Sequence, residues 1–182
     1  MSADIVLLAR AADYAARQHI AQRRKGARAE PYINHLTEVA ALLAEATDGS
    51  DVTLLAGGLL HDTLEDTDAT YEDLEQHFGP EVAALVAEVT DDKSLPKEER
   101  KRLQIDRTPA KSRRAKLLKI ADKTSNLRSM VTSPPAGWTA ARLRDYVAWA
   151  EQVVRSCRGL NPALDRAFDA AHADAKRHLG GD

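Results

Sequence analysis

The stretch Gly57-Gly58-Leu59-Leu60-His61-Asp62-Thr63-Leu64-Glu65-Asp66-Thr67 decides how this chain reads. An apolar run from Leu54 to Leu60 ends abruptly in one histidine and three carboxylates. If the run continues as helix, His61 and Glu65 stand at i and i+4, as do Asp62 and Asp66. The four side chains then share one edge of a helix over about one turn. Carboxylates crowded in this way repel unless a cation or shared protons neutralise them. With an imidazole beside them, a divalent metal is the simplest neutraliser, because imidazole and carboxylate together suit manganese, iron or zinc. A charged helix end facing water is the plain alternative, but so apolar a helix is a poor carrier for exposed charge.

Upstream, Asp4 to Arg23 predicts an amphipathic helix with Ile5, Leu8, Ala12, Ala15 and Ala16 on one side. His19, on its last turns, reads as a satisfied or surface residue. Arg23-Arg24-Lys25-Gly26 breaks the helix, and Pro31 keeps Glu30 out of the helical region, so a loop with three cations follows. That loop is either a solvated turn or an anion-binding lip. A second helix is expected from about His35 to Ala46, with Leu36, Val39, Ala40 and Leu43 inward. Ser50 or Asp51 can cap the next, Val52 to about Leu64.

Downstream, Thr70 with Asp73 opens a short helix that ends at Gly79, and Pro80 starts another that runs to Thr90. His77, beside Phe78, reads as structural. Pro96 introduces Lys97 to Arg107, a surface helix with few apolar anchors. Ser112 to Val131 predicts a long helix in which Asp122 follows an apolar stretch, as either a paired half-buried carboxylate or a ligand. Past Pro134-Pro135-Ala136-Gly137, helices are expected from Thr139 to Arg158 and after Asn161-Pro162. His172 and His178 on the last one are expected to face solvent. No period-2 strand and no repeat is legible, so the expectation is all-α: one domain over residues 1–182, a bundle of eight to nine helices.

Composition bounds the function. The 182 residues are 43% hydrophobic and 30% charged, ordinary for a folded globular protein, with 4% aromatic residues favouring helix-on-helix packing. Net charge is −2, which gives no general attraction to nucleic acid. Between Lys97 and Arg128, however, 12 cationic residues face 4 acidic ones, a local +8 that leaves −10 elsewhere. Cys157 is the sole cysteine, so an internal disulfide is excluded. Neither a signal-peptide pattern nor an apolar run of about 18 residues is present. A cytoplasmic protein with no membrane partner is expected.

Assembled, His35, His61, Asp62 and Asp122 could supply two nitrogens and at least two oxygens to one metal, leaving room for water and substrate. These residues resemble the H…HD…D signature of the HD-domain metal-dependent phosphohydrolases. Arg24-Lys25-Gly26, Pro31-Tyr32-Ile33-Asn34-His35, Gly58 to Thr67, Val89-Thr90-Asp91-Asp92-Lys93 and Lys119-Ile120-Ala121-Asp122-Lys123 narrow the likeness. They resemble the hydrolase domain of RelA/SpoT proteins, and most of all its stand-alone form, the small alarmone hydrolases, which include the metazoan SpoT homologues. The resemblance spans roughly Ile5 to Phe168. It implies a Mn²⁺-dependent 3′-pyrophosphohydrolase acting on the alarmone (p)ppGpp of the stringent response and yielding GDP or GTP. It also implies His35, His61, Asp62 and Asp122 as metal ligands and Glu65 and Asp66 as the catalytic carboxylates. Arg24 and Lys25 would lie along the nucleotide, Asn126 near the sugar, and Lys97, Arg142 and Tyr146 near the outer phosphates.

Two positions depart from the family's pattern. Leu36 stands where proline often follows the histidine. Thr124-Ser125 replaces a larger hydrophobic and aromatic pair that is expected to lie toward the base pocket. Alternative readings are an NADPH 2′-phosphatase or other nucleotide phosphohydrolase, and a non-catalytic nucleotide-binding module. The last would lack a ligand or the Glu-Asp pair, and neither is missing. The sequence leaves the oligomeric state open.

Overall fold

In the computed structural model, which describes residues 2–180, the helical periodicity becomes ten α-helices with no strand among the described residues. They are α1 (Ser2–Gln18), α2 (Ile33–Thr47), α3 (Val52–Leu60), α4 (Thr63–Asp66) and α5 (Tyr71–Phe78). α6 (Pro80–Val89), α7 (Lys97–Arg107), α8 (Arg113–Thr132), α9 (Ala140–Arg155) and α10 (Pro162–His178) follow, with a 3-10 turn at Thr108–Ala110. The chain is all-α as expected; counting the single turn α4 with α3 makes nine helices. Polar caps set several of the starts. Asp51 accepts the Leu54 N–H, Ser112 that of Ala115 and Thr139 that of Arg142, while Thr70 and Asp73 form a reciprocal capping box.

Two boundaries differ from expectation. α1 stops at Gln18 rather than near Arg23. The segment after it bonds instead to its own far end: Arg24 N–H donates to the Glu30 carbonyl at 2.8 Å and Tyr32 N–H to the Gln22 carbonyl at 3.2 Å. The helix expected over residues 52–64 breaks at His61-Asp62. His61 Nδ1 donates to the Gly58 carbonyl at 2.9 Å, the acceptor that the Asp62 N–H would need to continue the helix. A fresh turn starts at once, with Asp66 N–H on the Asp62 carbonyl at 2.8 Å.

The apolar faces meet in two adjoining clusters. Leu43, Leu54, Leu117, Leu118, Ile120, Leu164 and Phe168 belong to one, and Ala11, Ala15, Leu36, Leu60, Leu74, Val82 and Val86 to the other. Each large side chain so buried is worth about 1.5–3 kcal/mol against exposure. α2, α3 and α6 contribute to both clusters, which joins them. A Cβ on Gly58 would lie 2.9 Å from Leu43 Cδ1 and 3.2 Å from the Ala40 Cα, so only glycine lets α3 approach α2 this closely. That approach brings His61 beside His35.

α8 is the central element, packed against α2, α6, α9 and α10. Every residue from Leu117 to Ser125 is buried, including Lys119, Asp122 and Lys123. Charged groups are rarely this buried unless paired, and these three face the cluster of acids described below. By contrast α7 buries no residue, as its sequence predicts. It is held by Trp149 Nε1–H on the Lys101 carbonyl at 3.0 Å and by Gln104 donating to Asp91 at 2.5 Å. No helix among the described residues is long and apolar enough to cross a membrane.

Candidate metal and phosphate site

α2, the α3–α4 break and α8 bring His35, His61, Asp62 and Asp122 together. His35 Nε2 lies 3.4 Å from Asp122 Oδ1 and 3.7 Å from Asp62 Oδ2. His61 Nε2 lies 3.2 Å from Asp62 Oδ2 and 3.9 Å from Asp122 Oδ1. Ligand atoms of His35, His61 and Asp62 all fall within 4.8 Å of one another. Both Nδ1 atoms are engaged elsewhere, His61 on the Gly58 carbonyl and His35 on Ser125 Oγ at 2.8 Å, so both Nε2 atoms point at the aspartates.

The electrostatics fit a cation. His61 Nε2 is buried and, among the described residues, has the Asp62 and Asp122 carboxylates near it but no aligned hydrogen-bond partner. Burial alone would lower its pKa, but the charge of Asp62, with help from Asp122, raises it to about 9. The two aspartates thus hold a proton on His61 when nothing stronger is present, and a divalent ion at the same point would take its place. Burial opposes the charge on Asp122, yet Lys123 at 2.8 Å and the two histidines hold it well below the ordinary carboxylate range. Asp62 is also held low, against burial, chiefly by His61. Burial lowers His35, so its ring is neutral, as a ligand must be. Two imidazole nitrogens and two carboxylates make a donor set suited to a divalent ion.

One turn on, Glu65 and Asp66 have different surroundings. Glu65 accepts the Asp91 N–H at 3.2 Å and has Arg100 Nη1 at 3.5 Å. Burial and the charges of Asp62 and Asp91 push its carboxyl above the usual range. Asp66 accepts from Gln22 Nε2 at 2.9 Å and pairs with Lys93. A carboxyl of raised pKa, Glu65, therefore stands next to one held in place by two partners, Asp66.

Two cavities meet here. The acidic one, about 430 Å³, is lined by His61, Asp62, Glu65 and Asp122, with Lys25, Lys93, Arg100, Lys119 and Lys123 supplying cations. Its neighbour, about 330 Å³, is lined by Arg24, Met130 and Trp138 among others. Lys25, Tyr32, Asp66, Asn126 and Tyr146 belong to both walls. Asn126 links them: Nδ2 donates to Asp122 Oδ1 at 2.6 Å while Oδ1 accepts from Arg24 at 3.0 Å. Lys97 and Arg142 stand over the Trp138 ring, 5.7 and 4.2 Å from its centroid, at the outer edge. The basic loop thus places Arg24 and Lys25 on a cavity wall.

Several participants went unassigned in the sequence. Tyr32 Oη donates to Asp62 Oδ2 at 2.6 Å. Glu38, at i+3 from His35 on the same helix face, was a legible signal; Arg100, on a helix with few apolar anchors, was not. Thr124 and Ser125, the pair that departs from the family's pattern, lie on the buried side of α8. Thr124 is buried and donates to the Ile120 carbonyl at 2.7 Å, and Ser125 touches His35. Their small size puts them inside the packing between α8 and α2. His19 is buried, with Nδ1 2.5 Å from Gln22 Oε1 and its ring stacked on Tyr32. His172 is not solvent-facing but half-buried on Phe168, 3.6 Å from Glu151; His178 is exposed.

Residues 11–148 match the HD domain family. The chain is 47% identical over 174 residues to the guanosine-3′,5′-bis(diphosphate) 3′-pyrophosphohydrolase MESH1 of Xenopus tropicalis, covering 96% of this chain and 97% of that one. Its Homo sapiens counterpart is 48% identical over 168 residues, covering 92% and 94%. A solved structure described as a metazoan ortholog of SpoT that hydrolyzes ppGpp superposes with a TM-score of 0.88 at 45% identity, covering 97% of each chain.

Proposed function

The chain belongs to the HD-domain family, alongside the metazoan guanosine-3′,5′-bis(diphosphate) 3′-pyrophosphohydrolases, and on that premise we propose that it hydrolyses (p)ppGpp with Mn²⁺ as cofactor. One observation carries the reading furthest. His61, Asp62 and Asp122, clustered with His35, line a cation-lined cavity that shares a wall with a second cavity bearing Arg24, Asn126 and Trp138. A nucleotide carrying phosphates at both ends of its ribose needs such a pairing of acidic centre and basic surround.

In this reading a water oxygen bonds to the phosphorus on the 3′ oxygen, the bond to that oxygen breaks, and pyrophosphate leaves with GDP or GTP. His35, His61, Asp62 and Asp122 would hold the ion, which when bound lowers the pKa of water toward neutrality and offsets phosphate charge. Glu65, with its raised pKa, accepts the proton of the attacking water and can return one to the departing 3′ oxygen. Asp66, fixed by Gln22 and Lys93, orients that water. Lys25, Lys93 and Arg100 face the transferring phosphates, and Arg24 and Asn126 position the nucleoside. Lys97, Arg142 and Tyr146 receive the 5′-phosphates. A cytoplasmic setting is part of the proposal, with Cys157, the sole cysteine, buried and unpaired.

The test is metal-stripped protein incubated with Mn²⁺ and ppGpp, pppGpp or NADPH, with products separated chromatographically. Pyrophosphate with GDP or GTP is expected. No turnover of either alarmone, or phosphate release from NADPH alone, would overturn the assignment.

A further inference from the structure

We infer that Glu38 and Ser125 form a relay that fixes which nitrogen of His35 faces the metal cluster, making Ser125 a positioning residue of the site. This rests on the metal reading above. His35 Nδ1 lies 2.8 Å from Ser125 Oγ, which in turn donates to Glu38 Oε2 at 2.7 Å. A serine hydroxyl has one proton, and a carboxylate has none to offer. Arg128 Nη1, 3.1 Å from Glu38 Oε1, provides the partner expected for that carboxylate. The Ser125 proton is therefore committed to Glu38, and only a lone pair remains to accept from His35 Nδ1–H. The relay thereby leaves the Nε2 lone pair directed at Asp122 and Asp62.

Helix geometry supports the same role. His35 and Glu38 are i and i+3 on α2, and Asp122 and Ser125 are i and i+3 on α8. Each helix presents one residue of the cluster and one of the relay, so the relay braces the two elements at the point where the ligands converge. Ser125 is 1% exposed, so its contact with His35 is buried, while its bond to Glu38 is half-buried. The contrast with His61 is instructive. Its Nδ1 acceptor is a main-chain carbonyl that no side-chain substitution removes, whereas the orientation of His35 depends on two replaceable side chains. Without the relay, a tautomer with the proton on Nε2 gains a competing partner in Asp122 and cannot accept a metal.

A cavity of about 340 Å³, lined in part by His35, Glu38, Ser125 and Arg128, adjoins the relay. Water entering there could stand in for a deleted hydroxyl, so Ser125→Ala is a poor probe. Ser125→Thr and Ser125→Val have nearly the same shape and differ by the hydroxyl alone. Metal-free proteins would be titrated with Mn²⁺ by calorimetry, their melting temperatures measured, and the His35 tautomer read by ¹⁵N NMR. Ser125→Thr should bind Mn²⁺ within about threefold of the unsubstituted protein, whereas Ser125→Val should bind roughly 10–100-fold more weakly, as loss of an outer partner of a ligating histidine does. Metal-free Ser125→Val should melt lower than Ser125→Thr, because it leaves His35 Nδ1–H without its acceptor, so the affinities are compared at a temperature where both are folded.

Equal Mn²⁺ affinity for the Thr and Val variants would overturn the relay and leave the metal site standing. Failure of the unsubstituted protein to bind Mn²⁺ would overturn both. Should Ser125→Val not fold, Glu38→Ala and the tautomer decide. The proton on Nδ1 in the unsubstituted protein, with a mixed tautomer and weakened Mn²⁺ binding in Glu38→Ala, supports the relay; a proton on Nε2 in the unsubstituted protein overturns it.

Discussion

Tyr32 Oη donates to Asp62 Oδ2 across 2.6 Å, tying the loop before α2 to the break between α3 and α4. Burial and the charge of Asp62 drive the phenol pKa far up, so Tyr32 is a fixed donor at any ordinary pH. Its ring packs on His19 and edge-on to His35, at centroid distances of 5.2 and 5.6 Å. One residue therefore orients one proposed ligand by hydrogen bond and braces another by contact.

Tyr32→Phe keeps the ring and removes the donor. The expected result is Mn²⁺ affinity lower by about tenfold, at the mild end of losses seen for outer partners of metal ligands. The melting temperature of the metal-free protein should change little by comparison. Calorimetric titration and thermal melts check both; unchanged affinity would mean that Asp62 is positioned by its backbone alone.

Ligands and catalysts should separate in the central stretch. Glu65→Gln retains shape and loses basicity, so it should keep Mn²⁺ and lose on the order of 10²–10⁴-fold in turnover. Asp66→Asn should also keep metal, with turnover falling because Gln22 and Lys93 no longer hold a charged oxygen. His61→Ala and Asp62→Ala should lose metal and activity together. Elemental analysis beside turnover rates decides, and near-normal turnover in both Glu65→Gln and Asp66→Asn would remove them from the mechanism.

The fold was largely legible because its signals are local. Caps at Asp51 and Thr70, together with apolar spacing, placed most helix boundaries within a few residues. Where side chains compete for backbone groups, local reading failed, as at the Gly58 carbonyl taken by His61. The acidic cluster was legible because like charges on one helix edge demand a partner. Its supports were not, since Ser125 reaches His35 across 90 positions and Tyr32 reaches Asp62 across 30. Distances of that kind belong to helix packing, which no short window of sequence contains.

The acid limb of the rate profile should carry the mark of Asp91. Its charge, together with burial and Asp62, holds Glu65 above the usual carboxylate range. In Asp91→Asn that repulsion is gone while the main-chain N–H of residue 91 still donates to Glu65. A carboxyl relieved of a neighbouring negative charge ionises more easily, so the acid limb of kcat/KM should move to lower pH. A profile that stays in place would show that Glu65 does not set it.

Metal binding should release a proton. In the metal-free protein the folded-state pKa of His61 is raised from 6.5 to about 9, so the ring is charged at neutral pH. Such a group contributes stability that is fully present below its unfolded pKa and is lost as pH rises through the folded one. The metal-free protein should therefore lose stability between pH 6.5 and about 9, the window set by that shift. Mn²⁺ needs the neutral ring, so it must displace that proton, and its affinity should climb through the same window. Because bound metal stabilises only the folded chain, the melting temperature should rise with Mn²⁺ and fall on chelation, with the gap widening toward pH 9. Calorimetry in buffers of differing ionisation enthalpy counts the protons directly. A release near one per Mn²⁺ at neutral pH is expected; no release would show that His61 is already neutral, and that the carboxylates do not hold a proton in the place proposed for the metal.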